Sequence, residues 1–173
     1  QPDVGRVAGL DALARIRIVL NRPTHPGNIG AVARAMKTMC LEQLYLVAPR
    51  RFPAPEADAL AAGAADVLDR AHVCPPLAEA VRDCRLIIGT SARSRRIGWP
   101  ILDPSEGARQ MLVAAAEGSV ALVFGQERTG LINEEIDRCH AVIAIPANQA
   151  YSSINLAGSV QIMAYELMRA GVG

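Results

Sequence analysis

The 173-residue chain is 51% hydrophobic and 20% charged, with a formal net charge of +1. That balance suits one globular domain with a sizeable core and excludes a disordered or strongly basic polypeptide. No apolar run approaches the roughly 20 residues that cross a bilayer, and Asp3 and Asp11 break the N-terminal stretch where a signal peptide would be uniformly apolar.

In chain order, Ile16 to Leu20 is the first short apolar run. Leu44 to Val47, Leu86 to Ile88, Val120 to Phe124 and Ala141 to Ile145 follow, with a weaker one at Ala71 to Val73. None alternates with polar residues, which predicts strands covered on both faces. Between the first two, Gly27 to Met39 sets Ile29, Val32, Ala33 and Met36 on one helical face, with Gly30, Arg34 and Lys37 opposite. Ala54 to Ala65 is alanine-rich and reads as a surface helix. Ser105 to Glu117 and Asn133 to Arg138 are further helices, with Ser105 and Asn133 as expected N-caps. The last helix runs from about Leu156 to Met168, with Ser152 or Ser153 as its natural cap. Strands alternating with helices predict an α/β fold built on a mostly parallel, Rossmann-like sheet, with residues 1–173 as a single domain.

The four cysteines (Cys40, Cys74, Cys84, Cys139) are isolated, with no C-x-x-C pair to suggest zinc or redox chemistry, and fit reduced thiols in a cytoplasmic protein. No metal is expected. Aromatic residues make up 3% of the chain, too few for a base-stacking platform of the single-strand-binding kind.

Ligands of open α/β sheets bind beyond the carboxyl ends of the strands. The loops expected there are Asn21 to Asn28, Thr90 to Pro100, Gly125 to Gly130 and Pro146 to Asn155. In the first, two prolines and two glycines fix the path into a helix carrying Arg34, and His25 is a candidate base weighed against ordinary polar surface. The second packs Arg93, Arg95 and Arg96 into four positions, a pattern suited to bidentate phosphate contacts, and Arg50 and Arg51 extend the same basic rim. The third has the glycine spacing of a phosphate loop, but Leu131 and Ile132 stand where Lys and Ser/Thr would be, so a nucleoside triphosphate site loses support.

Taken together, His25-Pro26-Gly27-Asn28-Ile29-Gly30-Ala31 with Arg34, then Phe124-Gly125-Gln126-Glu127 through Gly130-Leu131, then Ile145-Pro146 and Tyr151-Ser152-Ser153-Ile154-Asn155-Leu156-Ala157 resemble the three motifs of the SpoU/TrmH-like SPOUT methyltransferases. The resemblance implies a C-terminal trefoil knot and a homodimer. It also implies S-adenosyl-L-methionine as methyl donor and an RNA ribose 2′-hydroxyl as acceptor. The loop from Gly89 to Pro100 narrows it to a tRNA-methylating subgroup acting on a cytidine or uridine at the start of the anticodon loop; relatives there carry a C-terminal extension that helps hold tRNA. Catalytic roles carry over to Asn28, Arg34, Glu127, Ser153 and Asn155. Thr90, Ser91, Ala92, Gly125, Glu127, Ile145, Pro146, Ser153, Ile154 and Leu156 match cofactor-binding positions. The family gives the proton-accepting role to the position of Arg34; because a guanidinium stays protonated, orienting the hydroxyl or a phosphate and stabilising developing alkoxide fits it better. Where the family usually has glycine, just past a helix end, this chain has Cys40. A different α/β transferase and a silent RNA-binding relative are the alternatives; the joint presence of the five candidate catalytic residues weighs against the second.

Overall fold

The computed structural model describes residues 8–91 and 99–173. Its seven described strands are β1 (Ile16–Asn21), β2 (Gln43–Val47), β3 (His72–Cys74), β4 (Leu86–Ser91), β5 (Ile101–Leu102), β6 (Val120–Phe124) and β7 (Ala141–Ala144). They form one sheet in the order β3-β2-β1-β6-β4-β7-β5, and every pairing is parallel. The helices are α1 (Ala8–Leu13), α2 (Pro26–Thr38), α3 (Pro55–Ala61), α4 (Ala65–Asp69), α5 (Leu77–Ala80), α6 (Pro104–Ala115), α7 (Asn133–Ile136) and α8 (Leu156–Val172).

The pleat explains the unbroken apolar runs. In β6, Val120, Leu122 and Phe124 join the larger core, while Ala121 and Val123 point to the smaller one. Ile16, Ile18 and Leu20 of β1 do the same against Val19. The larger core is roofed by α2, α3, α6 and α8; the smaller, on the other face, receives Leu77 and Ala80 of α5 and Ile136 of α7.

Several expectations are corrected. Asp103, not Ser105, caps α6, its Oδ1 accepting the Glu106 N–H at 2.8 Å. Asn133 opens α7 but does not cap it: the N-cap is Ile132, whose N–H donates to Glu135 Oε1 at 2.8 Å. Neither Ser152 nor Ser153 caps α8; Asn155 does, its Oδ1 accepting the Gly158 N–H at 2.7 Å, and the helix continues to Val172. The alanine-rich stretch is not one surface helix. It breaks at Ala62, where φ is +51°, and Ala57 and Ala61 are buried. Gly30 is buried too, because α3 crosses there so closely that a Cβ would lie 2.0 Å from the Ala57 carbonyl oxygen. Ile145 lies just beyond β7. The short elements α1, α5 and β5 were not anticipated. No helix among the described residues is long and apolar enough to cross a membrane.

Candidate functional site

The carboxyl ends of β4, β6 and β7 open onto a cavity of about 430 Å³. Its walls come from three segments: Thr90 and Ser91 at the end of β4, Phe124 at the end of β6 with the loop from Gly125 to Leu131, and Ile145 with Ser152, Ser153, Ile154, Leu156 and Ser159 around the start of α8. Thr90 is buried and donates its hydroxyl to the Val123 carbonyl at 3.1 Å, which locks the end of β4 against β6. The loop after β6 doubles back on itself: the Gly130 N–H donates to the Gln126 carbonyl at 2.8 Å, and Gly130 has φ +67°. Gly125 is pressed against that return, for a Cβ there would meet the Gly130 carbonyl carbon at 2.2 Å. Both positions therefore require glycine, one for its dihedral and one for space.

Glu127 organises the neighbourhood. Its carboxylate accepts the Thr24 and His25 N–H groups and the Asn28 side-chain amide, all at 3.1 Å. These donors open α2, where the backbone N–H groups have no helical partner and the helix dipole favours an anion. Burial raises the carboxyl's pKa, but the bonds from His25, Asn28 and Thr24 outweigh it and hold Glu127 below the ordinary glutamate range. The charge thus staples the loop after β1 to the loop after β6.

A second carboxylate does the same on the other face. Glu135 of α7 accepts from the Asn21 side-chain amide and, at 3.1 Å, from the Arg22 guanidinium, while its other oxygen takes the Ile132 N–H. Asn21 and Glu135 are both buried. Arg22 adopts φ +55° as it turns out of β1. Sequence reasoning missed this group. The only available signal was a polar Asn-Arg pair ending an apolar strand, since Glu134 and Glu135 are indistinguishable until α7 is docked.

Of the expected site residues, Thr90, Ser91, Gly125, Glu127, Ile145, Ser153, Ile154 and Leu156 line the cavity. Asn28 touches it only through Glu127, Asn155 is spent on capping α8, and Pro146 is exposed outside the lining. Arg34 is exposed on α2 and makes no ion pair with any described residue. His25 contributes its backbone N–H to Glu127. Arg50 and Arg51 are exposed; the Arg50 N–H donates to the Pro23 carbonyl at 3.0 Å and Arg51 pairs with Glu56 at 3.3 Å. Ala92, Arg93, Arg95 and Arg96 lie outside the described residues.

The model of the SpoU rRNA Methylase family matches residues 15–165 of this chain. The chain belongs to that family. Among SpoU relatives, it is 55% identical over 158 residues to the tRNA (cytidine/uridine-2′-O-)-methyltransferase TrmJ of Escherichia coli O6:K15:H31, covering 91% of this chain and 64% of the relative. The chain thus spans under two thirds of the length of that relative. The solved structure of a probable methylase family protein from Haemophilus influenzae superposes with a TM-score of 0.86 at 50% identity, covering 91% of this chain and 65% of the other. That of TrmJ from Z. mobilis gives 0.85 at 40% identity, covering 88% and 68%. The family match at residues 15–165 runs from β1 into α8, so it includes each loop that lines the cavity.

Proposed function

We propose that this chain carries the catalytic unit of a tRNA ribose 2′-O-methyltransferase acting on cytidine or uridine at the start of the anticodon loop. S-adenosyl-L-methionine is its methyl donor. The observation that carries the reading is the convergence of all three motif-bearing segments on one cavity, two forming its wall and the third stapled to it by Glu127. The name borne by the TrmJ relative supports the choice of acceptor.

The lining fits the donor. Phe124, Leu131, Ile145, Ile154 and Leu156 offer apolar surface for a purine, while the hydroxyls of Ser91, Ser152 and Ser159 offer partners for its sugar and amino-acid portions. The donor supplies a methyl group already activated on a sulfonium. The protein's part is alignment and handling of the ribose proton. Ser153 lines the cavity mouth, where it would contact the incoming nucleotide. Asn28 and Glu127 hold the first loop rather than touch the acceptor, and Asn155 aims the start of α8.

Arg34 is exposed and outside the lining of its own chain's cavity. We assign it to the cavity of a second copy, where it orients the ribose hydroxyl or a neighbouring phosphate. A homodimer with sites at the interface follows. Arg50, Arg51, Arg93, Arg95 and Arg96 would hold phosphates around the rim. We also propose that the segment after β7 threads the loop after β6 as a trefoil knot, in keeping with both loops lining one cavity, and that the protein works in the cytoplasm.

Two measurements test the reading. Calorimetry should detect S-adenosyl-L-methionine or its demethylated product, with EDTA present. Incubation with tRNA transcripts should then yield 2′-O-methylation mapped to the anticodon-loop pyrimidine. No cofactor binding, or binding without transfer to any RNA, would overturn it.

A further inference from the structure

Tyr151 is 77% exposed, more than any other large apolar side chain among the described residues. A single exposed apolar residue is ordinary. What sets Tyr151 apart is its setting. The other exposed tyrosine, Tyr165, lies under Arg169 at 5.8 Å, and Tyr45 stacks on His72 at 4.5 Å. No described residue stacks on the Tyr151 ring. It directly precedes Ser152 and Ser153, both in the cavity wall. Its backbone is held rather than loose: the Tyr151 N–H donates to the Asn148 carbonyl at 3.0 Å, the Ala150 N–H donates to Asn148 Oδ1 at 2.9 Å, and the Ile154 N–H returns to the Ser152 carbonyl at 3.0 Å.

The cavity, at about 430 Å³, has room for one ligand of cofactor size and not for a second base beside it. A nucleotide that presents its 2′-hydroxyl at the mouth must leave its base outside. That base has been pulled from its neighbours in the RNA and needs a new stacking partner. RNA-binding proteins supply one with an aromatic ring.

We propose that Tyr151 is the stacking surface for the base of the nucleotide being methylated, a substrate-binding residue distinct from the cofactor pocket. This rests on the reading of the cavity as a site of methyl transfer to RNA. Stacking on a ring, not a hydrogen bond from the phenol, carries the contact, so cytidine and uridine are accepted alike.

The test begins with the wild-type chain and a tRNA transcript, which separates the two readings: absence of transfer there refutes the proposed function and this inference with it. Given transfer, Tyr151→Ala should raise the KM for tRNA about tenfold to a hundredfold, the loss expected for one base–aromatic stack, with kcat changed only a few-fold. Tyr151→Phe should restore KM to within about twofold, since it keeps the ring. Calorimetric affinity for S-adenosyl-L-methionine should be the same in all three. Tyr151→Trp adds an emission that tRNA should quench and cofactor alone should not, a readout independent of whether the alanine variant folds. An unchanged KM in Tyr151→Ala, a phenylalanine variant as impaired as alanine, a parallel loss of cofactor affinity, or an unquenched tryptophan would overturn the assignment.

Discussion

At Glu127, one side chain satisfies donors from three residues that would otherwise face the loop unpaired, and it does so only as a carboxylate. Glu127→Gln keeps the size but turns one acceptor into a donor aimed at N–H groups. We expect a loss of about 1–3 kcal/mol at pH 7, as for leaving a partly buried donor unsatisfied, with weakened cofactor binding because the first loop loosens. The pH dependence has a definite sign. The folded pKa lies below the ordinary glutamate value of 4.5, so the stabilisation is fully present above about 4.5 and is lost as pH falls through the lower folded value. The stability gap between wild type and Glu127→Gln, read from urea midpoints, should therefore narrow between pH 7 and pH 3; a gap that widens in acid would refute the charged staple. Cysteine reactivity follows burial in the same way. Burial, aided by Glu135, pushes the Cys139 thiol up to about 12, and Cys74 and Cys84 are raised as well, chiefly by burial. Cys40 is exposed. A thiol reagent at pH 8 should modify Cys40 quickly, the half-buried Cys84 more slowly, and Cys74 and Cys139 only on unfolding, as peptide mass mapping would reveal.

At the level of elements, α2 carries two informative positions. Its end is a Schellman turn: Leu41 N–H donates to Met36 O at 3.0 Å and Cys40 N–H to Lys37 O at 3.4 Å, with Cys40 at φ +61°. A left-handed non-glycine residue costs roughly 1–2 kcal/mol, while glycine gives back about 0.4–1 kcal/mol in unfolded-chain freedom. Cys40→Gly should thus stabilise by about 0.5–1 kcal/mol and raise the melting temperature by about 2 °C, measured by thermal unfolding. Gly30→Ala runs the other way. In an open helix the change would gain about 1 kcal/mol of propensity, but here the methyl would sit 2.0 Å from the Ala57 carbonyl, and overpacking of this kind costs about 1–3 kcal/mol. Net destabilisation is expected in urea unfolding; a more stable variant would mean that α3 is free to retreat. Gly30 belongs to the first motif, so its demand is for the crossing of α3 rather than for a ligand.

For the whole molecule, the decisive prediction concerns Arg34. It stands clear of its own cavity, and a symmetric pair of chains would repeat any contact it makes across the interface. Mixing Arg34→Ala protomers with Gly125→Val protomers, whose added carbon would fall 2.2 Å from Gly130, leaves each mixed dimer with one intact site if Arg34 acts in trans. At equal mixing, about a quarter of wild-type methyl transfer should return. No recovery despite demonstrated subunit exchange, or a monomer in light scattering at micromolar concentration, would refute the shared site.

The strands at Ile16, Leu44, Leu86, Val120 and Ala141 were legible because burial on both faces of a parallel sheet demands unbroken apolar runs, and α2 because its apolar spacing matches one helical face. The glycines of the loop after β6 and the Cys40 departure were legible through the family motifs, and the folded backbone supplies the reason: close approach at Gly125 and positive φ at Gly130 and Cys40. The strand order, with β6 between β1 and β4, was not, because every strand carries the same apolar signature and pairing depends on helix docking far away in sequence. The caps were misassigned where several short polar residues adjoin a helix start and only the folded path selects Asp103 or Asn155. Glu135 stayed hidden for the same reason: a carboxylate in a four-residue helix acquires its partners, Asn21 and Arg22, only when tertiary contacts bring the end of β1 beneath it.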